Sequence, residues 1–340
     1  MRIGYDRLSI PERKVYDRFV SAFESFASTV DATDIDRGVD VMKVLQVALG
    51  DDPTVVYFDK THIRTVTSLL GGRQVLLCGA MTPEQAQSTR QRLEAAVDRA
   101  AEEIRSRMPV STYEKLLAIY EYLQEHVTYD RQELEYGRTR GRSIHPMAHN
   151  ACGPLLNGTG VCDGIAAAFA LLAQRFGFAC TCIGGMATFC SDSPSEHGWN
   201  LLKVGESFYH MDATWDINHR EQSGEFSYEY FAVTDDIVSR DHSWDIRSTP
   251  PCSREDLSYY RRSGCLAHSI SQLEDIFAKF AKSNQRVVRA RLAEGVALPQ
   301  PESKFLGQKL IKVASSVGRY AGIRYTWNEN TRCFYAKFES

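Results

Sequence analysis

Three residues in the middle of the chain have side chains that together support nucleophilic catalysis. Cys162 follows Gly158 and Gly160 and precedes an apolar stretch of strong helix formers, so we expect it in the first turn of a helix. There the helix dipole and free backbone N–H groups favour a thiolate and can receive a developing oxyanion. His197 and Asp212 lie further along the chain. In such a set the thiol is the nucleophile, the imidazole is its base, and the carboxylate orients the imidazole. The three residues together predict cysteine-dependent acyl transfer.

The spacing of the histidine and the aspartate predicts that they lie on one β-hairpin. The run after His197 and the run that ends at Asp212 both have strand character, and Gly205-Glu206 between them is a suitable two-residue turn. If Val204 pairs with Ser207, the alternation of side chains puts His197 and Asp212 on the same face of the hairpin. A slip of one residue would put them on opposite faces.

Other helices and strands are predicted from apolar periodicity, capping boxes and glycine turns. The predicted helices are Ile10–Phe26, Val39–Leu49 ending at Gly50, two that begin with the capping boxes Thr82/Gln85 and Ser111/Glu114, a short one at Asp235-Asp236, Ser271–Lys282 and Phe305–Val317. The predicted β-rich runs are Val55–Phe58, Ile63–Leu70 joined through Gly71-Gly72 to Gln74–Cys78, and a terminal hairpin of Ile323–Trp327 with Cys333–Phe338. Gly137–Arg142, with Arg138, Arg140 and Arg142, is predicted to be a solvated loop.

Composition excludes several classes of protein. The 340 residues are 43% hydrophobic and 24% charged with a net charge of −3, so we expect no nucleic-acid partner. No run reaches the roughly 18 apolar residues of a membrane span. The polar start and nine scattered cysteines predict a cytoplasmic protein with reduced thiols, or a secreted one if an export signal precedes this sequence.

Three motifs resemble those of the transglutaminase-like superfamily, including its bacterial cysteine peptidases and acyltransferases. They are GVCDGIAAAF around Cys162, HGWNLL around His197 and FYHMDATWD around Asp212. The flanking segments YEKLLAIYEYLQEHVTYD and YEYFAVTDDIVSRDHSWD are also similar, so the resemblance covers about Ser111–Asp245. It implies that Cys162 is the nucleophile, His197 the base and then the acid, and Asp212 the orienting group.

The resemblance also implies a fold. We expect an α+β protein with a papain-like, transglutaminase-like core at residues 108–248, in which the nucleophile helix packs on an antiparallel sheet. The Thr249-Pro250-Pro251 break marks the end of this core. Flanking α+β domains are predicted at residues 1–107 and 249–340.

Further residues are expected near the triad. Those that match motif positions, or that could line the site or bind substrate, are Trp199, Asn200, Trp215 and Asn157. The second donor to the oxyanion stays open among Asn157, Asn150 and His149. His242 and Trp244 are predicted to be structural.

The implied reaction is acyl transfer from an amide or peptide bond through a thioester. Water as the second nucleophile makes a peptidase or deamidase, and a lysine amine makes a crosslinking transglutaminase. The expected partner is a protein or peptide substrate, which includes a cell-wall peptide. We expect no cofactor, because no acidic loop has the pattern of a calcium site. The alternative is a catalytically silent transglutaminase-like scaffold that binds a protein or peptide.

The cysteines have two alternative interpretations, as zinc ligands and as a redox pair. His145, His149 and Cys152 with the pair Cys180/Cys182 could form a zinc site, but a strand would point the two cysteines of that pair to opposite faces, so no metal site is predicted. Cys152 or Cys190 could pair with Cys162 as a redox switch.

Overall fold

The computed structural model describes residues 2–68, 71–188, 193–283, 285–317 and 322–339. The chain divides into two compact units, Met1–Ser227 with His242–Ser253, and Tyr228–Asp241 with Arg254–Ser340. Each unit combines helices with strands, so the predicted α+β class is confirmed. The division into three domains stays a prediction.

The first unit contains seven of the described helices and nine of the described strands. The helices are α1 (Ile10–Glu24), α2 (Val41–Asp51), α3 (Pro83–Ser106), α4 (Thr112–His126), α5 (Arg131–Arg140), α6 (Cys162–Arg175) and α7 (Ala213–Ser223). The strands are β1 (Thr29–Asp31), β2 (Ile63–Thr67), β3 (Arg73–Leu77), β4 (Thr128–Tyr129), β5 (Thr159–Gly160), β6 (Ala179–Ala187), β7 (Ser195–Val204), β8 (Ser207–Met211) and β9 (His242–Ser243). Short 3-10 helices at Lys60–His62 and Pro146–His149 and a π-turn at Gly153–Asn157 join some of them.

An antiparallel sheet with the order β8-β7-β6-β9 forms the centre of this unit, and α6 packs against β6 and β7. This is the predicted arrangement of a helix on an antiparallel sheet. Val204 pairs with Ser207 across the turn, as predicted. The hairpin register that sets the faces of His197 and Asp212 is therefore confirmed.

Small residues let the chain close around the start of α6. A Cβ atom on Gly164 would lie 2.1 Å from the carbonyl oxygen of Ala148, so the preceding loop lies directly on the first turn of the helix. A Cβ atom on Gly198 in β7 would lie 3.4 Å from the Cα atom of Asp163. Both close approaches bring the N-terminus of α6 to the strand that carries His197.

The N-terminal part packs α1 and α2 with a three-stranded sheet of order β1-β3-β2. The β2–β3 hairpin and the capping boxes at Ser111 and Thr82 are as predicted. The prediction that α2 stops before Gly50 is wrong, because the helix continues to Asp51. Gly50 serves packing instead, since a Cβ atom there would lie 2.2 Å from the carbonyl oxygen of Cys182.

Two further predictions are wrong. Val55–Phe58 is buried but forms no strand, because an apolar run can fill a core without joining a ladder of hydrogen bonds. Most of the predicted loop Gly137–Arg142 belongs to α5, which Asp130 caps by accepting the backbone N–H of Glu133 and which ends at Gly141 in the left-handed conformation.

The second unit contains α8 (Asp235–Val238), α9 (Tyr259–Arg262), α10 (Ile270–Lys282) and α11 (Glu302–Val317). Its sheet has the order β10-β11-β13-β12, formed by β10 (Leu266–Ala267), β11 (Val287–Leu292), β12 (Gly322–Asn328) and β13 (Cys333–Glu339). The predicted C-terminal helices, the helix at Asp235 and the terminal hairpin are confirmed. None of the helices in the described ranges is both long and apolar enough to cross a membrane.

Candidate active site

Cys162 is the first residue of α6 and is partly exposed. Within the first turn, the N–H of Ile165 donates to the carbonyl of Val161, and the N–H of Gly164 donates to the side chain of Asp163. The N–H groups of Cys162 and Asp163 have no acceptor among the described residues. They lie at the positive end of the helix dipole, so the thiol has free donors beside it that can stabilise negative charge.

His197 and Asp212 form a buried pair beside this helix end. Nε2 of His197 lies 2.7 Å from Oδ2 of Asp212, and the side chains are 7% and 1% exposed. Asp212 directly follows β8 and caps α7, where its Oδ1 accepts the N–H of Thr214 at 2.9 Å. Because Nε2 is used by the carboxylate, Nδ1 is the nitrogen left for the thiol, and Cys162 is close enough to raise the pKa of the imidazole.

The electrostatics of the pair favour a charged histidine. Burial by itself lowers the pKa of His197, but the charge and hydrogen bond of Asp212, with smaller effects from Cys162, raise it to about 10. Burial opposes ionisation of Asp212, but the charge and hydrogen bond of His197 hold the pKa of that carboxyl well below its usual range. The site is therefore built to keep an imidazolium next to the thiol at neutral pH.

Aromatic rings surround the imidazole of His197. The ring of Trp199 stacks on it at 5.9 Å between centroids, Trp215 lies at 5.6 Å, and His242 lies at 5.3 Å. Trp199 is fixed in turn by donating its Nε1–H to Nδ1 of His210 at 3.0 Å. These rings exclude water from the imidazole, which strengthens its interaction with the carboxylate.

Of the other predicted site residues, two contact His197 and two do not. Trp199 and Trp215 contact His197, as described above. Asn200 points to the helix instead, because its Nδ2 donates to the carbonyl of Ala166 at 2.9 Å, and so it ties β7 to α6. Asn157 is exposed, and no contact among the described residues joins it to the triad.

The polar side chains of the loop before α6 form hydrogen bonds within the loop and to neighbouring carboxylates. Oδ1 of Asn150 accepts the N–H of Cys152 at 2.9 Å. His149 lies between two carboxylates, with Nδ1 3.0 Å from Asp163 and Nε2 3.0 Å from the buried Glu133. Burial lowers the pKa of His149, but these two partners raise it to about 9. His149 thus fixes the loop to the residue next to the nucleophile.

Tyr129 is close to the triad and was missed from the sequence. It pairs in parallel with Gly160, two residues before the nucleophile, and its N–H donates to Glu221 at 2.7 Å. Burial raises the pKa of Tyr129 above its usual range, and its electrostatic interactions with Cys162, Asp163 and Asp212 raise it further. The only signal in the sequence is the segment VTYD, whose strand has two residues and no periodicity to detect.

One group near the triad has donor types that also suit a metal ion. The ligand atoms of His197, Asp212 and His242 lie within 4.8 Å of one another. Both histidines, however, have Nε2 at hydrogen-bond distance from one oxygen of Asp212, 2.7 Å and 3.2 Å, so we interpret the group as a hydrogen-bonded network.

The residues with side chains suited to zinc or redox chemistry make other contacts in the structure. Nδ1 of His145 lies 2.7 Å from Asp130, and His149 is held by its two carboxylates. Cys152 is buried, and burial raises the pKa of its thiol to about 11. Cys190 lies outside the described residues.

Comparisons with known proteins agree with this geometry at the level of a family. The family model for the transglutaminase-like superfamily matches residues 98–213, a range that includes Cys162, His197 and Asp212. No curated protein sequence matches the chain significantly.

Two solved structures are similar to part of the chain. One is described as a TGase, with 12% identity, a TM-score of 0.32 and coverage of 45% of this chain and 44% of that chain. The other is described as a candidate cysteine protease from Cytophaga hutchinsonii, with 12% identity, a TM-score of 0.26 and coverage of 45% of this chain and 61% of that chain. This chain therefore spans less than two thirds of either of them. From the family match, residues 98–213 form a domain of the transglutaminase-like superfamily.

Proposed function

We propose that this protein catalyses acyl transfer from an amide or peptide bond, with Cys162 as nucleophile, His197 as base and acid, and Asp212 as orienting group. One observation carries the proposal: a buried histidine lies 2.7 Å from a carboxylate through Nε2 and is close enough to the thiol at the start of α6 for that thiol to raise its pKa. The pKa of His197, raised to about 10, makes an imidazolium the expected neighbour of the thiol at neutral pH.

The first half of the reaction forms a thioester. The Cys162 sulfur attacks the carbonyl carbon, and the oxygen takes the electron pair of the C=O bond. As the tetrahedral intermediate collapses, the C–N bond breaks and Nδ1 of His197 gives its proton to the leaving amine. Water or an amine then attacks the thioester carbonyl carbon. His197 takes a proton from this attacking molecule, and the thiolate of Cys162 leaves. Hydrolysis yields an acid, and an amine yields a new amide.

The oxyanion needs donors that are in place before it forms. The free N–H of Cys162 at the helix end is the first. For the second we propose the hydroxyl of Tyr129, supported by its strand pairing with Gly160 and by its electrostatic interaction with Cys162. Asn157 is a poor alternative, because its side chain is exposed and makes no described contact near the thiol.

Selective alkylation tests the nucleophile without a known substrate. Native protein is treated with iodoacetamide between pH 4 and pH 10, and the modified cysteines are mapped by mass spectrometry. Burial raises the pKa of Cys152 to about 11 and of Cys182 to about 12, so these thiols are internal references that should react slowly at neutral pH. Cys162 should react first at or below pH 7, and more slowly in His197→Ala.

A second assay tests acyl transfer itself. p-Nitrophenyl acetate should give a burst of p-nitrophenolate and an acetyl group on Cys162, and both should be absent in Cys162→Ala. Glutamine-containing peptides offered with or without a labelled primary amine then separate deamidation from crosslinking. Labelling spread evenly over the cysteines, with no burst, would contradict the proposal and favour a binding scaffold without activity.

A further inference from the structure

We propose that His242 is a positioning residue of this site, which holds the Asp212 carboxylate in the orientation that serves His197. The inference rests on the proposed function, since it concerns how the proposed triad is kept aligned. His242 lies 30 positions beyond Asp212 in the chain. No motif spacing connects the two.

The Asp212 carboxylate has donors on both of its oxygens. Oδ2 accepts from Nε2 of His197 at 2.7 Å and from Nε2 of His242 at 3.2 Å, and Oδ1 accepts from the N–H of Thr214 at 2.9 Å. A carboxylate can only accept, so Nε2 of each histidine carries a proton. With three donors in fixed directions the carboxylate cannot rotate about its Cβ–Cγ bond. The hydrogen bond to His197 then keeps one geometry.

A close approach of β9 to β6 brings His242 next to Asp212. Strand β9 pairs with β6 so that His242 lies opposite Ala187. A Cβ atom on Gly185 would lie 2.2 Å from the carbonyl oxygen of Ser243 and 2.9 Å from the ring of Trp199. Only a residue without a side chain therefore lets β9 approach β6 at this position.

His242 is sealed from solvent. Its side chain is 0% exposed, and its ring packs against Trp199 at 4.9 Å and Trp215 at 4.5 Å between centroids. Its titratable neighbours in these contacts are Asp212 and His197. A side chain in this position cannot touch a substrate, so its effect on the reaction must pass through Asp212.

The bond from His242 also affects the charge state of Asp212. Burial raises the pKa of Asp212, the charge and hydrogen bond of His197 lower it, and the hydrogen bond from His242 lowers it further. Without His242, the carboxylate should protonate at a higher pH as the solution is acidified. His197 would then lose its partner earlier, and Cys162 would lose its activation at a higher pH.

Two matched substitutions test the proposal. His242→Gln keeps a donor amide near the place of Nε2, and His242→Asn has the same amide on a side chain one methylene shorter that does not reach Asp212. The alkylation rate of Cys162 by iodoacetamide is measured from pH 4 to pH 8 for both. We expect His242→Asn to react about tenfold more slowly over this interval, the effect of losing a hydrogen bond to a charged group. His242→Gln should stay within about threefold of the native chain.

His210→Asn is the control for general damage to the aromatic cluster. His210 is an equally buried histidine whose Nδ1 accepts from Trp199 and which has no described bond to Asp212. The proposal predicts that this variant loses thermal stability and that its alkylation of Cys162 falls less than that of His242→Asn.

The results separate the inference from the proposed function. If His242→Asn is alkylated at the native rate, or if His242→Gln and His242→Asn behave alike, the positioning role is refuted. If Cys162 in the native chain is not activated and His197→Ala changes nothing, the proposed function itself fails.

Discussion

Replacing Asp212 by asparagine tests the electrostatic basis of the proposed site. Asparagine keeps the size of the side chain and can still cap α7 through its oxygen toward the N–H of Thr214. It removes the negative charge that opposes the effect of burial on His197. The fold around the site should therefore persist while the charge state of the histidine changes.

The magnitude follows from the pKa of His197. That pKa is about 10, compared with an ordinary value of 6.5, although burial by itself lowers it. Without the carboxylate the pKa of His197 should return to 6.5 or below, a fall of about 3.5 pH units or more. Each unit lowers the ratio of thiolate–imidazolium to thiol–imidazole tenfold. The alkylation rate of Cys162 at pH 7 should fall by about 10²- to 10³-fold.

The assay is iodoacetamide alkylation at pH 7 followed by mass mapping, with the thermal unfolding of each variant measured in parallel. Asp216→Asn is the matched control, because Asp216 is a buried carboxylate four residues further along α7 that accepts hydrogen bonds from the hydroxyls of Tyr120 and Ser227. It should lower stability and leave the alkylation rate of Cys162 nearly unchanged. Equal rates for native protein and a folded Asp212→Asn would refute the electrostatic reasoning.

Three more predictions concern other parts of the site. Gly164→Ala places a Cβ atom 2.1 Å from the carbonyl oxygen of Ala148, so we expect a loss of about 1–3 kcal/mol in the free energy of unfolding and slower alkylation. Tyr129→Phe should slow acetylation by p-nitrophenyl acetate about 10- to 100-fold and leave alkylation, which forms no oxyanion, almost unchanged. The folded pKa of His197 is above its unfolded value, so its contribution to stability is complete below about pH 6.5 and is lost as the pH rises to about 10. The difference in Tm between the native chain and His197→Gln should therefore shrink over that interval.

Each of these predictions has a control or a contrary result. Gly137→Ala changes a helical glycine whose added Cβ would have only one neighbour, at 4.0 Å, so its stability should stay equal or rise by about 0.5–1 kcal/mol. If Tyr129→Phe slows both reactions equally, Tyr129 is not an oxyanion donor. A Tm difference for His197→Gln that grows from pH 6.5 to pH 10 would mean that the folded protein does not favour the imidazolium.

Much of the site could be predicted because it depends on short stretches of chain. The start of α6 at Cys162 follows from the glycines before it and the helix formers after it. The faces of His197 and Asp212 follow from a two-residue turn and the alternation of side chains in β7 and β8. Capping boxes marked the starts of α3 and α4 in the same way. In each case, residues only a few positions apart specify the geometry.

Two features have a cause that lies elsewhere in the chain. Gly50 had the pattern of a helix end, but its function is to admit the carbonyl of Cys182 on a strand far along the sequence. Asn200 occupies a family motif next to Trp199, and only the packing of α6 on the sheet shows that its amide faces Ala166.

The sequence by itself predicted the proposed nucleophile, base and orienting carboxylate, and it predicted the hairpin that aligns the last two. Only the tertiary structure decided what surrounds them. His242 reaches Asp212 because β9 returns to the edge of the sheet, and Tyr129 comes near Cys162 because β4 pairs in parallel with β5. Local periodicity carries no information about such contacts, because they form only when segments about 30 residues apart are brought together by a common core.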